Sequence, residues 1–176
     1  MSAGGRARPD GDGPAAPAAT APVSKETDRK IDALLTRFPQ KGSALLPALY
    51  LIQEEKGWVS EASMAYVAGK VGVSPAFVAG VVSFYTMYHR RPVGRHHIQV
   101  CRTLSCMLRG SYQVMEHLKS TLGIDVGQVT PDGKFSLAFV ECLGACDTAP
   151  CAQVNDEDVA LLDDPGKIDA LLERLR

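Results

Sequence analysis

No apolar run in this 176-residue chain is long enough to cross a bilayer. The longest, around Ala44 to Ile52, is broken by Pro47, so direct membrane insertion is not expected and any membrane association has to come through partner proteins. Charge of one sign is also missing: a formal net charge of -1 leaves no basic footprint for nucleic acid. Residues 1–24 lack the apolar segment that a secretory signal needs. Their Arg6 and Arg8 are offset by Asp10 and Asp12, a poor composition for mitochondrial transit. There is no G-x-G-x-x-G turn to cradle a dinucleotide pyrophosphate, so the chain alone is not expected to oxidise a nicotinamide cofactor. A C-x-x-C pair and an internal repeat are absent as well.

What remains is an ordinary soluble composition, 45% hydrophobic and 22% charged, with apolar material for one or two small cores. Residues 1–24 are Ala, Pro and Gly with almost no large apolar side chains, and read as a disordered tail. Residues 25–93 read as a small helical bundle. Ile31, Leu34, Leu35 and Phe38 repeat at helix spacing until Pro39. Ser43 is placed to cap a second helix with Leu45, Leu49 and Ile52, ending at Gly57, and Ser60 a third with Met64, Val67, Ala68 and Val71. Ser74-Pro75 reads as the cap and first position of a fourth helix, expected to bury Phe77, Val78 and Val81. Phe84, Tyr85, Met87 and Tyr88 then form a joint, read as packing between the halves or as a partner contact.

Residues 94–176 change to a strand and helix pattern. His97 to Val100, Lys134 to Glu141, Ala152 to Val154 and Val159 to Leu162 read as strands. Val114 to Leu122 reads as a helix that Gly123 closes, Thr130 to Gly133 as a turn, and a last helix opens at Asp164-Pro165. The expected fold is an α+β two-part chain, a helical bundle followed by a thioredoxin-like α/β domain.

Of five cysteines, four form two pairs, Cys101-x4-Cys106 and Cys142-x3-Cys146, each in a loop read as following a strand. The odd count and the lack of a signal segment argue against a disulfide framework and favour metal or redox use. Structural zinc usually brings a tight C-x2-C pair, and thiol–disulfide exchange usually needs C-x-x-C. A [2Fe–2S] cluster fits better, because two separate loops can give each of two irons two soft thiolates. Gly144 would let backbone approach the sulfurs, and amides of Thr103 to Cys106 and Leu143 to Cys146 could donate to them. Cys151 makes a second pair with Cys146, but its place at the start of a short strand reads as a buried core thiol.

The runs FYTMYHRRPVGRHHIQVC, CRTLSCMLRG, TPDGKFSLAFVECLGACDTAP and QVNDE resemble the small thioredoxin-like [2Fe–2S] subunits of respiratory complex I, the E subunits of bacterial NADH-quinone oxidoreductases. The resemblance covers about residues 25 to 176. Related small subunits occur in NAD-dependent formate dehydrogenases and bidirectional hydrogenases, but MLRG and TPDGKF look more like the complex I branch. The resemblance implies that Cys101, Cys106, Cys142 and Cys146 hold the cluster. It implies an FMN- and NADH-binding flavoprotein partner, further complex I subunits, and a cytoplasmic place peripheral to the inner membrane. It implies electron transport within an oxidoreductase rather than catalysis by this chain. Cys151 departs from the family pattern, which has a non-cysteine such as Met there, and stands as a competitor for iron.

Overall fold

The computed structural model describes residues 23–176. The tail expected over residues 1–24 lies outside the described residues except at its end, where Ser24 is the N-cap of the first helix. The described chain divides into two compact units, one ending at Pro92 and the other running from Val93 to Arg176.

The first unit is helical. Helix α1 (Lys25–Leu35) starts where Ser24 Oγ accepts from Thr27 N at 3.1 Å, satisfying one of the free N–H groups of its first turn. It stops at Leu35, so Phe38 lies in the following turn, half-buried. Ser43 is not a cap: Lys41–Ala44 form a 3-10 turn that runs straight into helix α2 (Leu45–Lys56). Helices α3 (Glu61–Val71) and α4 (Pro75–Phe84) open on Ser60 and Ser74, whose hydroxyls accept from Ser63 N and Phe77 N. Ile31, Leu49, Ile52, Val67, Val78 and Val82 share the core of this bundle. The face of α4 differs from the expected one. Phe77 is 57% exposed and Val82 is buried, because a helix apolar all round does not declare its inner face by pattern alone. In the joint segment Tyr88 is buried in this unit and its hydroxyl donates to the Leu46 carbonyl at 2.8 Å, while Phe84, Tyr85 and Met87 are exposed.

The second unit is a four-stranded mixed sheet in the order β2-β1-β3-β4. Strand β1 (His96–Cys101) pairs in parallel with β2 (Phe135–Val140) and antiparallel with β3 (Ala152–Val154). Strand β4 (Glu157–Val159) closes the edge; it begins two residues earlier than Val159 because Asn155, at φ 53°, turns the chain straight back after Val154. Between β1 and β2 lie α5 (Leu104–Leu108), a short helix inside the first cysteine segment that no periodicity announces, and α6 (Ser111–Leu122). Helix α7 (Pro165–Arg174) follows the sheet, with Asp164 as its cap. Val114, Met115 and Leu118 of α6 and Ile168, Leu171 and Leu172 of α7 bury Ile98, Val100, Leu137 and Val154 of the sheet. That burial, at about 25 cal/mol per Å² of apolar surface, fixes the strand ends from which the cysteines project. Among the described residues, no single helix is long and apolar enough to cross a membrane.

Candidate metal centre

Because β1 and β2 run in parallel, their C-terminal ends share one edge of the sheet, with Cys101 opposite Val140. Cys101 is the last residue of β1 rather than a loop residue, and Cys106 sits inside α5. Cys142 follows β2 by two positions, and Cys146 opens a 3-10 turn, Cys146–Thr148. The chain then returns through a cis Ala149–Pro150 peptide to Cys151, which immediately precedes β3.

All five cysteines line one cavity of about 70 Å³ at this edge. They divide into an inner and an outer group. Cys101, Cys106 and Cys151 are buried, and their sulfurs all lie within 4.8 Å of one another. Cys142 and Cys146 are exposed and form the solvent side of the same cavity. The expected four residues therefore meet in one place, but the fifth stands among them. Cys151 is buried, as a core thiol would be, yet its Sγ is 3.6 Å from that of Cys106. The sequence signal for this was its spacing from Cys146; what brings it to Cys106 is the β1–β3 pairing, in which Cys101 N donates to Cys151 O at 3.1 Å.

The electrostatics of the inner sulfurs differ. Burial pushes the Cys101 thiol up, but the Thr103 hydroxyl and amide, the Leu143 amide and the Cys106 thiol outweigh it and bring it down to about 7. The Thr103 hydroxyl lies 3.4 Å from Cys101 Sγ. Burial raises Cys106 and takes Cys151 up to about 12, the latter helped by the neighbouring Cys106 and Cys101 thiols. On the outer side, Gly144 adopts φ 79°, a conformation open to glycine at no steric cost, and its amide donates to Cys142 Sγ at 3.4 Å. Amide donors from both segments thus already point at sulfur.

Soft thiolates at this number and depth, with amides aimed at them, suit iron–sulfur ligation or another soft metal. Among the described residues no histidine or carboxylate lines the cavity to pair with them as a base.

A sequence profile described as thioredoxin-like [2Fe-2S] ferredoxin matches residues 31–176. The E 2 chain of NADH-quinone oxidoreductase from Rhizobium meliloti (strain 1021) is 45% identical over 147 residues, which cover 84% of this chain and 87% of that protein. NADH-quinone oxidoreductase subunit 2 of Thermus thermophilus is 43% identical over 148 residues, covering 83% and 82%. Among solved structures, an NAD+-reducing [NiFe]-hydrogenase in the air-oxidized state superimposes with a TM-score of 0.65 at 27% identity. That match covers 74% of this chain and 22% of the hydrogenase chain.

Proposed function

The chain belongs to the thioredoxin-like [2Fe–2S] ferredoxin family, and from that premise we propose that it is the one-electron relay of an NADH dehydrogenase module, trading electrons with flavin held by a partner flavoprotein of complex I. The observation that carries this reading is the cavity at the shared end of β1 and β2, lined by both cysteine pairs. Cys101, Cys106, Cys142 and Cys146 would hold the cluster, their two segments meeting at one sheet edge. When bound, a [2Fe–2S] group takes up and returns one electron at a time, at about −400 mV in all-cysteine plant-type centres.

The chain's own residues set the conditions for that. Burial of Cys101 and Cys106 keeps water from the inner sulfurs, and the donors from Thr103 and Gly144 offset negative charge at Cys101 and Cys142 without rearranging. The outer sulfurs of Cys142 and Cys146 stay at the surface, where an electron donor can approach. Leu104, which lines the cavity, is exposed, as are Met107 and Leu108 on the same short helix and Tyr112 at the start of α6, apolar surface suited to a flavoprotein partner. Contact with such a partner would place the chain at the membrane periphery on the cytoplasmic side.

The relatives at 45% and 43% identity favour a quinone oxidoreductase over the hydrogenase, at 27%, as the parent complex. Co-expression with a candidate flavoprotein, size-exclusion chromatography and an NADH–ferricyanide assay test the reading. The chain should co-elute with the flavoprotein, and NADH should reduce the cluster only in the complex, seen as bleaching of its visible bands. Turnover of NADH by the isolated chain, or stoichiometric zinc without sulfide in iron-replete protein, overturns it.

A further inference from the structure

We propose that Cys151 is a reserve ligand of the cluster site, able to take the place of Cys106 on the same iron. The proposal rests on the reading that this site holds a cluster. The Cys106 and Cys151 sulfurs are 3.6 Å apart, so a metal bonded to one at about 2.3 Å comes within reach of the other after a small shift of side chain or metal. Cys151 also lies within 4.8 Å of the third inner sulfur, Cys101. A plain core thiol would meet carbon on every side. This one is 3% exposed, lines the cavity and faces two other sulfurs.

The Cys151 amide faces the Cys106 sulfur, but other contacts also fix its position. Cys106 is carried by α5, whereas Cys151 is held by the sheet, through Cys101 N to its own carbonyl and Leu162 N to the carbonyl of Pro150. Losing the Cys106 sulfur therefore leaves the second sulfur in place at the same depth. Cys142 and Cys146 fall outside the group of sulfurs that all lie within 4.8 Å of one another. The exchange is redox-neutral. A bond from iron to the Cys151 sulfur replaces that to Cys106, and the proton leaving the Cys151 thiol is balanced by one taken up at the displaced sulfur, or released to solvent where Cys106 is absent.

The test compares purified full-length wild type, Cys106→Ser, Cys151→Ser, Cys106→Ser/Cys151→Ser and Cys142→Ser by iron and acid-labile sulfide content, visible absorption and paramagnetic resonance of the reduced state. Cys106→Ser is expected to keep an all-thiolate spectrum with iron and sulfide close to wild type, and Cys151→Ser to match wild type. The double variant should lose the cluster or show oxygen-ligated bands, with a retained content lower by roughly tenfold or more, as should Cys142→Ser. Cys106→Ala, checked for folding by circular dichroism, repeats the arm without a serine oxygen. A folded Cys106 variant without its cluster overturns the proposal, as does one no better loaded than the double variant. Wild type lacking iron and sulfide would instead defeat the functional reading itself.

Discussion

Cys101 and Val140 are the last register partners of the parallel β1–β2 ladder, and Arg102 N donates to Val140 O at 3.0 Å just beyond them. The two cysteine segments therefore leave the sheet side by side. Were the strands antiparallel, six residues of each would separate the segments by about 20 Å, and no shared centre could form. The parallel pairing requires a crossover, and α5 and α6 supply it. The link from topology to chemistry lies in this one pairing.

The start of that pairing gives a first prediction. A Cβ on Gly94 would meet the Phe135 carbonyl carbon at 2.3 Å and Ser136 N at 2.6 Å, both backbone atoms that cannot turn aside. Gly94 N also donates to Ser136 Oγ at 2.9 Å. Gly94→Ala should cost about 1–3 kcal/mol, the range for overpacking a tight site, measured by urea denaturation. Because β1 would enter displaced, cluster content should fall with it. An unchanged midpoint would show that the strand entry tolerates the side chain.

The outer cysteines separate ligation from folding. Cys142 and Cys146 are exposed, so serine at either should leave the cluster-free chain within about 0.5 kcal/mol of wild type. The same variants should lose the iron–sulfur absorption. Cys101→Ser, at a buried strand end, should lower both stability and cluster content. A Cys142→Ser protein with normal absorption would remove that residue from the ligand set.

Much of this was legible in the sequence, for reasons that can be named. Ser60, Ser74 and Asp164-Pro165 are local signals and mark α3, α4 and α7 where the chain has them. The cysteine spacing likewise pointed to one centre, and the five sulfurs line one cavity. The rest is non-local. Helix α5 has five residues, too few for a period to register. The inner face of α4 is chosen by its neighbours, because apolar residues surround it. Cys151 read as a core thiol, since nothing near it in sequence tells that β3 pairs with β1 and brings it to Cys106.

In the helical unit, Glu55 gives a pH-dependent prediction. The Thr27 hydroxyl and the Lys56 ammonium, with the N–H and hydroxyl of Ser24, hold its carboxyl at about 2 against an ordinary 4.5. A depressed carboxylate stabilises the fold fully above its unfolded pKa and loses that contribution as pH falls through the folded one. The Glu55 side chain is 21% exposed, so solvent screening keeps the effect to about 1 kcal/mol or less. Glu55→Gln should be the less stable protein at neutral pH. The gap should close between pH 4.5 and about 2, followed by denaturation midpoints. A gap that is constant across that range would assign the loss to packing rather than charge.

The last prediction concerns the partner surface. Leu108 is 74% exposed and Leu104 64%, on the short helix that carries Cys106, and Tyr112 packs its ring on Phe139 beside them. Exposed leucines this close to a redox cavity have no role in the core of this unit, and their burial by a partner would also draw water away from the inner sulfurs. Leu108→Glu places a charge on that helix without replacing a cysteine. It should weaken association with the proposed flavoprotein partner at least about tenfold, near 1.4 kcal/mol, while iron content and visible absorption stay at wild-type values. Phe84, 76% exposed at the end of α4, is the rival contact, and Phe84→Glu measured in parallel by biolayer interferometry discriminates the two. Weakening by Phe84→Glu alone would move the docking surface to the helical unit; weakening by Leu108→Glu alone keeps it at the cluster edge.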